Sequence, residues 1–170
     1  LIFCAAGMVV RFLQTSSAGD DSYVIDPQNN KVVAVIDDIE IPHGITSAPD
    51  GSQLYFSNEV LHSLDIVDAR TLRVKRRIPL SGRPNNVSIS KDGRKVYVAI
   101  REMPGAVDII DTLLMKNIKS VATEGPIHNV YVTPDGKHAV AGSIQTSTIS
   151  VIDTTKDELA WTLKMSAGVR

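Results

Sequence analysis

The sequence predicts an all-β fold assembled from a repeated four-stranded unit, and three observations predict it. Val, Ile and Thr are frequent while aromatics make up only 5% of the 170 residues, a composition that favours strands over helices. A turn tripeptide recurs as Pro49-Asp50-Gly51, Lys91-Asp92-Gly93 and Pro134-Asp135-Gly136, with aspartates 42 and 43 residues apart. A second motif, Val24-Ile25-Asp26, Ile66-Val67-Asp68, Ile109-Ile110-Asp111 and Val151-Ile152-Asp153, recurs independently at 42, 43 and 42. Two unrelated motifs sharing one period define a structural repeat.

Each period divides into four strand-like pieces. In the second unit they are Ile45–Ala48, Gln53–Ser57, Ser63–Val67 and Arg73–Ile78. The Asp-Gly pair between the first two is a hairpin signal, because glycine adopts the left-handed backbone of the turn without steric cost. The aspartate closing the third strand is placed to accept backbone N–H groups of the next turn, as in Asp68-Ala69-Arg70-Thr71. Both sets of aspartates are therefore read as turn residues and not as catalytic acids. Helical repeats of this length would need apolar stripes of period 3.6, whereas Lys95-Val96-Tyr97-Val98-Ala99 reads as a strand. Four short antiparallel strands per 42 or so residues are the blade of a β-propeller.

By this period, residues 43–84, 85–127 and 128–170 are complete blades. Residues 11–42 are a partial blade with strands at Arg11–Thr15, Asp21–Ile25 and Lys31–Ile36; its inner strand is unassigned unless Leu1–Cys4 supplies it. The expectation is an open arc, a piece of a longer propeller, and an open arc exposes apolar faces that promote self-association of the isolated chain. Leu1 to Val10 is apolar and too short to span a bilayer as a helix. It reads either as the remnant of a signal peptide, with Cys4-Ala5-Ala6 near a cleavage point, or as an apolar strand entering the fold.

Charge and cysteine content narrow the function classes. Lys plus Arg number 18 against 19 Asp plus Glu, so no basic nucleic-acid surface is expected. Cys4 is the single cysteine, which precludes an intrachain disulfide, and no Cys/His spacing matches a zinc finger. No segment is expected to span a membrane, and no nucleophile elbow, phosphate loop or diagnostically paired carboxylates occur.

Propellers bind ligands where loops converge on the central axis. Aligning the blades by the period superposes His43, Asn85 and His128, followed by Gly44, Asn86 and Asn129, and preceded two positions earlier by Ile41, Arg83 and Pro126. These positions lie just ahead of the inner strands and encircle one channel mouth. The loops joining second and third strands bring Asn58-Glu59, Arg101-Glu102 and Gln145-Thr146-Ser147 toward the same mouth. The candidate ligand-binding residues are accordingly His43, Arg83, Asn85, Asn86, His128, Asn129, Glu59 and Glu102. Imidazole serves as a metal ligand or general base, and Arg83 is suited to a carboxylate or phosphate; equally, these groups can satisfy backbone at the inner strand ends. Trp161 is expected to pack between blades, and Arg73, Lys75, Arg76 and Arg77 to form a solvated outer strand.

Leu54-Tyr55-Phe56-Ser57-Asn58 and Val96-Tyr97-Val98-Ala99, with the order Pro-Asp-Gly, Tyr-Val-x-Asn, Val-Ile-Asp, resemble the signature of the YVTN β-propeller repeats over residues 11–170. The fourth unit departs from it at His138-Ala139-Val140-Ala141-Gly142. The resemblance implies a propeller, most often seven-bladed, in a superfamily with lactonase-like enzymes, haem d1 domains of nitrite reductases and many secreted proteins. It implies a periplasmic or extracellular ligand- or protein-binding scaffold needing no cofactor or metal. The alternative it leaves open is a lactonase-like hydrolase or a redox propeller holding haem, a quinone or a divalent metal, with Glu59, Asn85 and Asn86 nearest to a metal-ligand set.

Overall fold

A computed structural model describes residues 2–6 and 9–170, with side chains from Val10 onward. Four antiparallel sheets of four strands follow one another along the chain. The first holds β1 (Ile2–Ala6), β2 (Val9–Thr15), β3 (Ser22–Asp26) and β4 (Lys31–Ile36); the second holds β5 (Pro42–Ser47), β6 (Gln53–Asn58), β7 (Ser63–Asp68) and β8 (Arg73–Pro79). The third holds β9 (Pro84–Ile89), β10 (Lys95–Ile100), β11 (Ala106–Asp111) and β12 (Lys116–Ala122); the fourth holds β13 (Asn129–Val132), β14 (His138–Ser143), β15 (Thr148–Asp153) and β16 (Glu158–Lys164). The inner strands β1, β5, β9 and β13 are successive neighbours, which makes the arrangement an open arc of propeller blades.

The first blade has four strands where three were expected, because Ile2–Ala6 pairs antiparallel with β2 in the inner position. This is the strand reading of the apolar start; Leu1, Gly7 and Met8 of the segment read as a leader remnant lie outside the described residues.

Both aspartate motifs are turn devices. Asp68 Oδ1 accepts the Arg70 and Thr71 amides at 3.1 and 2.8 Å, and Asp26, Asp111 and Asp153 repeat the pattern. Asp50, Asp92 and Asp135 accept the amides of Ser52, Arg94 and Lys137 beside glycines at φ 71°, 74° and 71°.

Strand periodicity places the core between blades. Along β6, Leu54 and Phe56 pack with Leu13, Val24 and Ile36 of the first blade, while Tyr55 packs with Val87, Val96 and Val98 of the third. Along β10 the alternation continues, with Tyr97 and Ala99 against Val130, Ala139 and Ala141 of the fourth blade. A strand whose two faces each meet another sheet is apolar throughout, so β6 and β10 are buried almost end to end, whereas the outer strands β8 and β12 are mostly exposed. Each fully buried Val, Leu, Ile or Phe contributes about 1.5–3 kcal/mol.

Trp161 departs from expectation: it is 52% exposed. It pairs opposite Val151 as Lys119 pairs opposite Ile109 and Arg76 opposite Ile66, and both of those outer positions are exposed too. The counterpart in the first blade, Ala34 opposite Val24, is half-buried against the core shared with the second blade, whereas no described blade follows the fourth to cover Trp161. The fourth blade also turns an uncovered apolar face outward. Val121, opposite Val107, is 6% exposed, whereas its counterpart Leu163, opposite Ile149, is 50% exposed.

Candidate functional site

Two packing features bring the mouth residues together. Inner strands start earlier than expected: β5 begins at Pro42 and β9 at Pro84, so His43, Gly44, Asn85 and Asn86 lie within strands, while Arg83 and His128 immediately precede theirs. At Gly44 the inner strands of blades two and three come so close that a Cβ would stand 2.7 Å from Asn85 O and Val87 N and 2.8 Å from Asn86 Cα. Ser57 Oγ, buried in β6, accepts the Gly44 amide at 2.7 Å and fixes this stretch of β5.

A charged network covers the mouth. His43 Nε2 lies 2.7 Å from Glu59 Oε2 and 3.2 Å from Arg101 Nη1. An approach that short to a carboxylate oxygen requires the proton on Nε2, so His43 donates to Glu59 and Arg101 cannot also donate to that nitrogen. Arg101 Nη1 instead donates to Glu59 Oε2 at 3.1 Å. Arg83 reaches Glu59 Oε1 through Nη1 at 3.5 Å and Glu102 Oε2 through Nε at 3.2 Å. The Arg83 backbone N–H also donates to Glu102 Oε1 at 3.1 Å and is the main cause holding that carboxyl below its ordinary range. Residues from the second and third blades thus form one chain of charges: Glu102, Arg83, Glu59, then His43 and Arg101.

Beside this network, between the third and fourth blades, a cavity of about 170 Å³ is lined by Asn85, Arg101 and His128 with Ile127, Ile144 and Gln145. His128 Nδ1 contacts Asn129 Oδ1 at 3.1 Å. Asn86 is turned to another use: its Oδ1 accepts the Val130 amide at 3.1 Å and ties β9 to β13. The mouth candidates therefore separate into a charged group around Glu59, a cavity group around Asn85 and His128, and Asn86 in the scaffold. Among the described residues no group of three or more His, Cys, Asp and Glu side chains is placed to hold a metal ion.

Three residues stand out beyond those singled out from sequence. Arg101 joins the two mouth groups; its loop was assigned to this mouth, but the side chain's central place depends on the approach of blades two and three. Asp65 and Asp108 are fully buried carboxylates. Asp65 accepts from Ser63 Oγ at 2.5 Å, Asn58 Nδ2 at 2.9 Å and Arg77 Nε at 3.2 Å. Asp108 accepts from Ser81 N and Oγ and Asn117 Nδ2 at 2.7, 2.8 and 2.9 Å. The sequence signal for them was a charged residue at an inward strand position of two successive repeats.

No protein-family model matches the chain. The β subunit of hydrazine synthase from Kuenenia stuttgartiensis is 32% identical over 149 residues, a match that covers 61% of this chain and 38% of that protein. The solved structure of Kuenenia stuttgartiensis hydrazine synthase superposes with a TM-score of 0.85 at 27% identity, covering 94% of this chain and 48% of that one. This chain spans less than half the length of either. It is similar in sequence to the hydrazine synthase β subunit, and in fold to a chain of hydrazine synthase.

Proposed function

We propose that this chain is part of a propeller that serves as a binding scaffold, in the periplasm or outside the cell, and holds a ligand or protein partner at the channel mouth. The observation that carries this reading is the network of Glu102, Arg83, Glu59, His43 and Arg101. Ion pairs at a partly exposed surface add only about 0–1 kcal/mol each, so stability does not account for gathering five charged or titratable groups at one end of the arc. Mutually ordered charges do suit recognition, because they present a fixed pattern to a partner and incur little further ordering cost on binding. The similarity to a protein named as a subunit supports a role within an assembly, and the YVTN-like repeats support the location.

The test is charge reversal in the parent protein. Glu59→Arg with Arg101→Glu is expected to abolish a partner complex of fixed stoichiometry seen for the unmodified protein by native mass spectrometry. An unchanged complex, or a parent propeller that turns over lactones on its own, would overturn the scaffold reading.

A further inference from the structure

The cavity between the third and fourth blades has features that the charged network does not use. Asn85 is 5% exposed and lines it, yet among the described residues its side-chain amide has no hydrogen-bond partner. The amide opens into the cavity and is available to a group that enters it. Arg101 stands at the same cavity with only Nη1 engaged, on Glu59 and beside His43. Its Nε and Nη2 edge, the side-on fork that matches a carboxylate, is unused. Arg83, by contrast, spends Nε on Glu102 and Nη1 on Glu59.

The remaining walls define size and sign. Ile127 and Ile144 are apolar, and no Asp or Glu lines the cavity. Its volume of about 170 Å³ is that of roughly six water molecules at about 30 Å³ each, room for an acid of a few carbons. Glu59 holds Arg101 from the far side and so positions the guanidinium. We infer that this cavity is a binding site for a small carboxylate, which takes the Nε/Nη2 edge of Arg101 and the Asn85 amide as donors and sets its carbon chain against Ile127 and Ile144. This inference rests on the mouth-binding reading and names a ligand class for it.

The test is a two-dimensional ¹H–¹⁵N titration of the full chain with sodium acetate and sodium glycolate, with sodium chloride and acetamide as controls. Saturable shifts are expected at the Asn85 side-chain NH₂ and Arg101 Nε–H with both carboxylates, and neither control should reproduce them. Arg101→Gln should weaken binding at least tenfold, and Arg76→Gln on the exposed outer strand should leave it within twofold. If Arg101→Gln loses its dispersed spectrum, Asn85→Asp carries the same test, since it keeps the shape and sets a negative charge against the incoming anion. Equal shifts with acetamide, or full carboxylate binding in both Arg101→Gln and Asn85→Asp, would overturn the carboxylate site. So would the absence of any shift; in each case the mouth reading stands or falls separately on the partner complex.

Discussion

Gly44→Ala tests the approach of the inner strands on which the mouth depends. An alanine Cβ there would meet Asn85 O and Val87 N at 2.7 Å and Asn86 Cα at 2.8 Å, where ordinary van der Waals contact begins at 3.4 Å. The deficit of about 0.7 Å faces backbone on β9, which cannot rotate aside as a side chain can, so the strands must separate. Separation also pulls on the Gly44 amide bond to Ser57 Oγ and carries His43 away from Arg101. Overpacking of this kind costs typically 1–3 kcal/mol, and with a strained buried hydrogen bond the expected loss lies at the upper end, about 3 kcal/mol. The assay is urea unfolding followed by far-UV circular dichroism, with two reference variants. Gly19→Ala meets only Ser16 Oγ at 3.6 Å and should be near neutral. Gly136→Ala meets nothing within 4 Å but sits at φ +71°, so it isolates backbone strain of about 1–2 kcal/mol. An unfolding midpoint for Gly44→Ala equal to that of Gly19→Ala would refute the close approach of β5 and β9.

Asp108→Asn replaces an acceptor of three hydrogen bonds by a group that must turn a donor toward Ser81 or Asn117; it should cost about 2 kcal/mol in urea unfolding, and a loss under 0.5 kcal/mol would show that Asp108 does not organise that junction. The turn carboxylates predict acid sensitivity. Asp153 is held down to about 2 chiefly by the Thr155 hydroxyl, and Asp50, Asp68, Asp92 and Asp135 are also lowered from the ordinary 3.8, mainly by Ser or Thr groups of their own turns. A lowered folded-state value stabilises above the unfolded value and is lost as pH falls through the folded one; stability should therefore drop between about pH 4 and pH 2, and Asp153→Asn should flatten that drop in a pH series of thermal melts. The uncovered face of the fourth blade predicts self-association of the 170-residue chain, which Leu163→Lys should reduce in sedimentation velocity; a monodisperse parent monomer would count against it.

The repeat was legible because it is written locally. An aspartate three residues before a turn amide and a glycine at positive φ act within a few residues, so Asp68 and Gly51 mean the same in sequence as in space. Strand limits in the second blade came within a residue or so for the same reason, except at β5. Its start at Pro42 depends on pairing with Asn58 across an irregularity in register, a partner 16 residues away. Trp161 is exposed because no described blade stands over it, a matter of tertiary neighbours and not of residue type; its first-blade counterpart, Ala34, packs against the core.

The sequence by itself determined the blade: its period, its four strands, its turns and the register positions that face the axis. Tertiary structure decided which of those positions meet. Glu59 and His43 belong to one blade, but Arg101 reaches them from the next, 42 residues beyond Glu59, and only because Gly44 lets two backbones close. Asn86 and Asn85 are neighbours of one residue type, yet one is spent on Val130 and the other faces a cavity. Alternation along a strand assigns successive residues to opposite faces, and what stands at each face is set by the neighbouring blade, through contacts between residues far apart in the chain.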